Sequence, residues 1–219
     1  MEKTYKTIAF FFVFIIALII CELYRVYIKV FPVFTSVVVI RYFYSAMVLA
    51  WITLSIIQIL LIKYQKEELH KKLGKVSYVL APFLLLSLFF IAKDNFINLA
   101  LILPKKPNIA VLALSVTPLC AFATLYILAM VNKKNTAYHI RYIAGSVLVL
   151  IAPAIGKAFI IYGGMPFRQG FTYSMYITEI ITVLLVVYDI IEANPLKPYL
   201  VTLSVLFAVD IMSLFQFPI

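Results

Sequence analysis

The chain has 219 residues, of which 65% are hydrophobic and 13% charged, and it carries a formal net charge of +10. That balance lies far outside soluble globular usage and excludes a water-soluble enzyme or binding module. Two cysteines exclude a disulfide framework or a thiolate metal site, and the basic residues are scattered in short groups over two faces, which gives nucleic-acid binding no support.

A membrane-spanning helix needs about 20 mostly apolar residues, and seven stretches meet that need: 7–28, 35–62, 74–92, 108–131, 140–163, 171–193 and 198–217. The expected fold is therefore an all-α membrane protein, a single bundle of seven transmembrane helices forming one domain over 1–219, without linkers or repeats. Barrel strands would alternate apolar and polar residues, whereas Phe10 to Ile20 and Val183 to Val187 are continuously apolar.

In chain order, Lys3 and Lys6 precede the first apolar run in the manner of a secretory signal, but no small-residue cleavage site follows. Ile20, directly before Cys21, is too large for a lipoprotein box, so this segment reads as a span. Span two carries Arg41 near its start, and a polar connection from Lys63 to Lys75 leads into span three. Pro82, Pro118 and Pro153 fall inside spans three, four and five, where neighbouring helices satisfy the freed carbonyls, and they predict kinks. Cys21 and Cys120 stand in apolar surroundings and read as core residues.

Lys and Arg accumulate in cytoplasmic loops. One side holds Lys3, Lys6, Lys63, Lys66, Lys71, Lys72, Lys75, Lys133, Lys134, Arg141 and Lys197; the other holds Arg25, Lys29, Lys93, Lys105, Lys106 and Arg168. The excess places the amino terminus in the cytoplasm and the carboxyl terminus outside a cell membrane crossed several times. These flanking cations also suit the anionic headgroups of the lipid bilayer.

Four charges stand inside the apolar spans: Arg41, Lys157, Glu179 and Asp210. Converted to depth at about 1.5 Å per residue, all four fall at a similar height in the outer half. An ionised group at the helix centre costs roughly 2.5–3.5 kcal/mol on insertion scales, so these residues should face the bundle interior and neutralise one another. Tyr42, Tyr44, Tyr173 and Tyr176 supply hydroxyls nearby, and Glu22, Arg25, Lys93 and Asp94 form a rim. Two readings follow: an ion-paired core that only holds helices together, or an outer-half polar cavity for a small polar or zwitterionic ligand, with Arg41, Lys157, Glu179, Asp210, Tyr44 and Tyr176 as its contacts.

On the cytoplasmic side, His70 and His139 each stand where an inner loop enters a helix, and Asp189 and Glu192 approach the same height from span six. Imidazoles with a carboxylate can hold a metal or haem iron, so His70, His139 and Asp189 form a candidate metal site. The simpler reading is a set of solvated or capping interfacial groups. No His-x-x-x-His pair, cysteine ligand spacing, Gly-x-Ser-x-Gly elbow or phosphate-cradling glycine loop accompanies them, and no cofactor is expected.

His70-x-x-x-Gly74, His139-x-Arg141, Pro153-Ala154-x-x-Lys157 and Tyr188-Asp189, in that order over residues 65–200, resemble a group of uncharacterised bacterial seven-helix inner-membrane proteins. The resemblance implies that fold and location and no activity. Ile140 departs from it where that group tends to have a basic residue, and Lys197-Pro198 where a His-Pro pair is common. Microbial rhodopsins would need a Schiff-base lysine in the last span, where Asp210 stands; receptors resembling the progestin and adiponectin receptors would need a His-x-x-x-His pair there. The leading expectation is a non-enzymatic sensor or transport component, with a metal- or haem-dependent membrane enzyme and a structural subunit of a membrane complex as alternatives.

Overall fold

The computed structural model describes residues 36–102 and 108–214. In chain order their helices are α1 (Ser36–Lys63), α2 (Glu67–Gly74), α3 (Ser77–Ile102), α4 (Asn108–Val131), α5 (Thr136–Gly163), α6 (Phe167–Ile191) and α7 (Lys197–Leu214), with no strand among the described residues. Four stretches are long and apolar enough to cross a membrane: Val39–Lys63, Glu67–Ile97, Thr136–Gly163 and Phe167–Ile191. Val116–Val131 is a shorter apolar helix. The chain is thus all-α with several membrane-spanning helices. The expected first span, 7–28, lies outside the described residues, together with Cys21, Glu22, Arg25, Lys29, Lys105 and Lys106.

The chain divides into two units, one ending at Leu88 and one beginning at Phe89. In the first, α1 buries Val48, Trp51, Ile52, Ser55 and Ile59, a stripe at the three- and four-residue spacing of one helix face. Ser55 needs no partner from another helix, since its hydroxyl donates to the Trp51 carbonyl at 2.9 Å. The helix closes with Gln65 in the left-handed region (φ 56°), where the N–H groups of Gln65 and Lys66 donate to the carbonyls of Ile62 (3.0 Å) and Leu61 (2.9 Å). This is a Schellman cap.

The Lys63–Lys75 connection contains a helix of its own, too short and too polar to stand out in the sequence: α2 has only Leu69 and Leu73 as apolar residues and buries none. Charge placement supports it instead. Glu67 and Glu68 occupy the first turn and Lys71 and Lys72 the last, complementing the helix dipole at both ends. Lys71 also lies 3.8 Å from Glu67 and 3.9 Å from Glu68, though such exposed pairs contribute little.

The second unit is built around α4, α5, α6 and α7, joined by the short connections 132–135, 164–166 and 192–196. Such short turns make sequential helices antiparallel neighbours. α4 meets α5 and α7, α6 meets α5 and α7, and α5 also meets α7 directly. Between them lie Ala121, Leu125 and Ala129 of α4, Tyr142, Val149 and Ala152 of α5, Met175 of α6, and Leu206 and Val209 of α7. Pro82, Pro118 and Pro153 are all accommodated inside helices, as expected. Cys120 differs from expectation: it is exposed on α4 rather than buried, which its small, weakly polar thiol tolerates against lipid.

Polarity on α6 is reversed relative to a water-soluble helix. Its buried side carries Gly170, Ser174, Met175, Thr178, Glu179, Thr182 and Asp189, while Ile180, Val183, Leu184, Val187, Ile190 and Ile191 are exposed. An exposed apolar surface of this kind marks contact with lipid, and small residues on the inner side let helices approach closely. The serine and threonine hydroxyls donate to their own helix: Ser174 to Phe171 O (2.7 Å), Thr178 to Met175 O (2.9 Å) and Ser174 O (3.1 Å), and Thr182 to Thr178 O (2.7 Å).

Two approaches are tight enough to require glycine. A Cβ at Gly170 would stand 2.7 Å from Ile160 Cγ1 and 3.0 Å from the Gly156 carbonyl. At Gly145 a Cβ would run into the Thr202 side chain, whose hydroxyl is fixed by donation to Pro198 O at 3.0 Å. Gly145 therefore sets the distance between α5 and α7. Gly145→Val should destabilise the protein by roughly 1–3 kcal/mol, the usual cost of overpacking a filled interior, read as a lowered midpoint of thermal unfolding in detergent.

Candidate functional site

The α5–α6 hairpin has a register that can be read from its contacts. Ile160 faces Gly170 and Gly156 faces Ser174, each pair placed symmetrically about Met165 in the turn. The same symmetry brings Arg141 to Asp189 at the far end. There Arg141 Nε donates to Asp189 Oδ2 and Arg141 Nη2 to Asp189 Oδ1, both at 2.7 Å, a planar two-point contact that arginine makes and lysine does not.

Asp189 is 1% exposed and Arg141 14%. Arg141 Nη1 also donates to Ala137 O at 2.9 Å, and its guanidinium carbon lies 5.9 Å from the centroid of the Tyr199 ring, within cation–π range. Three helices thus converge on one charge pair, with Arg141 from α5, Asp189 from α6 and Tyr199 from α7. A carboxylate in the last turn of a helix faces the negative end of the dipole, and the guanidinium offsets that penalty. The backbone at this point is held too: Ala193 takes a left-handed conformation (φ 52°), and the N–H groups of Asn194 and Ala193 donate to Asp189 O (2.8 Å) and Ile190 O (3.3 Å).

The three residues considered for a metal have other engagements. Both oxygens of Asp189 accept from Arg141. His139, at the start of α5, has Nδ1 2.8 Å from the Ala129 carbonyl, so that nitrogen carries the proton and donates. In the first unit, half-buried His70 lies against Gln58, whose amide, oriented by its hydrogen-bonding surroundings, donates to the ring nitrogen Nδ1 and to the His70 carbonyl and accepts from the Gly74 N–H at 3.1 Å. Among the described residues no three His, Cys, Asp or Glu side chains are grouped to hold a metal ion.

The charges of the expected outer layer divide between the units. Arg41 is exposed and Tyr44 half-buried on α1 in the first unit. In the second, Lys157 on α5 and Asp210 on α7 are half-buried, and Glu179 on α6 is buried at 7% exposure. Asp210 lies within electrostatic range of Glu179. Tyr176 is 49% exposed, outside the buried face of α6 that carries Glu179. Glu179 Oε1 is buried with no hydrogen-bond partner among the described residues. The neighbouring hydroxyls do not serve it, because they donate to their own backbone.

Sequence reasoning placed Glu179 and Asp210 inside the membrane but took Arg141 as an orientation charge at a loop and Asp189 as an interfacial group and candidate metal ligand, and so missed that they form a pair. The signal was present in the hairpin register: two helices separated by a short turn bring residues equidistant from that turn to one level. No protein-family model, curated protein or solved structure matches the chain.

The pair yields a sharp expectation. Arg141→Leu alone leaves a buried uncompensated carboxylate and should cost about 3–5 kcal/mol, whereas the double replacement Arg141→Leu with Asp189→Leu should recover most of that loss. Thermal unfolding of the single and double variants in detergent measures the coupling; additive losses would show that the two side chains do not act as one unit.

Proposed function

We propose that the protein is a seven-span cell-membrane protein, with its amino terminus in the cytoplasm and carboxyl terminus outside, that binds a small polar or zwitterionic ligand in its outer half as a sensor or transport component. The supporting observation is the buried Glu179 carboxylate, one oxygen of which lacks a partner among the described residues. A charge within a membrane is retained where it is paired or where it serves a ligand, ion or proton path. Arg141 and Asp189 are an instance of the first, since every oxygen of the carboxylate is engaged. Glu179 lacks that completion and has a second carboxylate, Asp210, for a neighbour.

The proposed topology is tested with reporter fusions. Alkaline phosphatase joined after Ile219 should be active and a fluorescent protein there dark, while the reverse holds for fusions after Lys134. An active phosphatase after Lys134 would overturn the orientation.

Binding is tested on purified protein by thermal unfolding against amino acids, betaines, polyols and small carboxylates. A compound held at about 100 times its Kd should add roughly 2.7 kcal/mol, or roughly 5–10 °C for a chain of this size. The gain should disappear in Glu179→Gln, which keeps the side-chain volume and removes the charge. If no compound stabilises the protein, or if stabilisation is insensitive to substitutions at Glu179, Lys157 and Asp210, the outer layer is only structural.

A further inference from the structure

We propose that the outward face of α2 and α3 is a binding site for one anionic diacyl phospholipid, with its phosphate between Lys72 and Lys75 and an acyl chain along Val76, Val79, Phe83 and Leu86.

The two helices carry one face between them. Lys75, at their junction, keeps helical backbone angles (φ −65°, ψ −24°). The Val76 N–H donates to Leu73 O at 3.0 Å and the Leu80 N–H to Val76 O at 2.9 Å, and Glu67–Ile97 forms a single stretch of spanning length. Ser77, Ala81, Leu84 and Leu88 are buried, on the side where His70 and Gly74 meet Gln58 of α1. On the other side Lys72, Lys75, Val76, Val79, Phe83 and Leu86 are all exposed, at the three- and four-residue spacing of one helix face.

The positive charge on this face is uncompensated. Residues 63–75 hold five lysines against two glutamates, and both glutamates, Glu67 and Glu68, stand beside Lys71 at 3.8 and 3.9 Å. Lys72 and Lys75 make no ion pair among the described residues. Length fixes their depth. Val76 to Leu86 covers about 15 Å of helix, half of a hydrocarbon core of about 30 Å. The apolar strip therefore fills one leaflet and sets both lysines at its headgroup level, where their stems follow apolar surface while the ammonium groups reach out to phosphate.

That combination selects the occupant. A zwitterionic phospholipid carries its own cation beside the phosphate and gains little from two more, whereas an anionic one leaves its charge for Lys72 and Lys75. A second copy of the chain docked about a two-fold axis on this face would set the same lysines against each other.

The test titrates full-length purified protein in maltoside micelles with phosphatidylglycerol, phosphatidylcholine or glycerol 1-phosphate. Phosphatidylglycerol should raise the unfolding midpoint saturably, and the other two should not. Half-saturation should shift about fivefold in Lys72→Gln or Lys75→Gln and about 30-fold in the double variant. Lys133→Gln with Lys134→Gln, which removes the same charge from the 132–135 connection, should leave it unchanged. A readout on the unsubstituted protein guards against variants that fail to fold: phosphatidylglycerol should slow acetylation of Lys72 and Lys75, followed by mass spectrometry, and leave Lys66 and Lys71 at their original rates. Equal stabilisation by phosphatidylcholine, an equal effect of the Lys133 and Lys134 substitutions, or no stabilisation by phosphatidylglycerol overturns the site. Stabilisation by glycerol 1-phosphate would show a phosphate site that does not use the apolar strip and overturns the lipid assignment. A two-copy particle that shields Lys72 and Lys75 without added lipid would give the face to a second copy and overturns it as well.

Discussion

A donor or acceptor enclosed by hydrocarbon has no water to turn to, and the second unit is organised by that constraint. Its answer on α6 is local: each serine and threonine hydroxyl on the buried face closes onto the same helix. Because these groups ask nothing of their neighbours, the face they occupy can be used for close packing, with Gly156 against Ser174 and Gly170 against Ile160. The buried charge at the end of α6 is satisfied from other helices. Asp189 is paired with Arg141 from α5, and the Arg141 guanidinium lies over the Tyr199 ring of α7, so one charge pair ties three helices together.

Two levels of charge result on α6, ten residues apart and separated by about 15 Å of helix. At the level of Asp189 the carboxylate is saturated, its guanidinium partner is bonded further to Ala137 O, and the helix end is capped around it. At the level of Glu179 the carboxylate is as deeply placed but incompletely bonded among the described residues. The same residue class is thus bonded differently at two levels of one helix: Asp189 meets a donor from α5, whereas Glu179 Oε1 has none among the described residues. Gly145 contributes to this difference indirectly, since it fixes how near α7, and with it both Tyr199 and Asp210, can come to α5.

Long apolar runs made α1, α3, α5 and α6 legible in the sequence, because lipid demands continuous hydrophobicity over a set length. Glu179 and Asp210 were legible for the converse reason, that charge in such a run has to be explained. α2 was not, since eight residues with only Leu69 and Leu73 apolar are too few for a periodic pattern to stand out from a polar connection, and the order of Glu67, Glu68, Lys71 and Lys72 is its clearer signature. The Arg141–Asp189 pair was obscured by a rule applied residue by residue. Arg141 stands close enough to a loop to be counted as a topology charge, and Asp189 close enough to the opposite end of α6 to be taken as interfacial. Only the pairing of the helices, which is a property of two segments and a turn, reveals that they meet. Gly145 shows the remaining limit: a small residue signals a close approach, but Thr202 as the element approached lies 57 positions further along (202 − 145) and is fixed by tertiary packing.

The symmetry of the α5–α6 contacts about Met165 makes the Gly163–Pro166 turn a length standard for the whole hairpin. Surface turns elsewhere absorb an extra residue with little effect, since the helices they join are held by contacts that do not depend on turn length. Here one added residue, carried into either helix, would rotate it by roughly 100° and displace at once the contacts at Gly156 and Ser174, Ile160 and Gly170, and Arg141 and Asp189. The furthest of these lies at the opposite end of the helices from the turn. Tolerance to insertion in this hairpin is therefore not a matter of exposure: a short exposed turn is bound to a buried ion pair by the rigidity of the two helices between them.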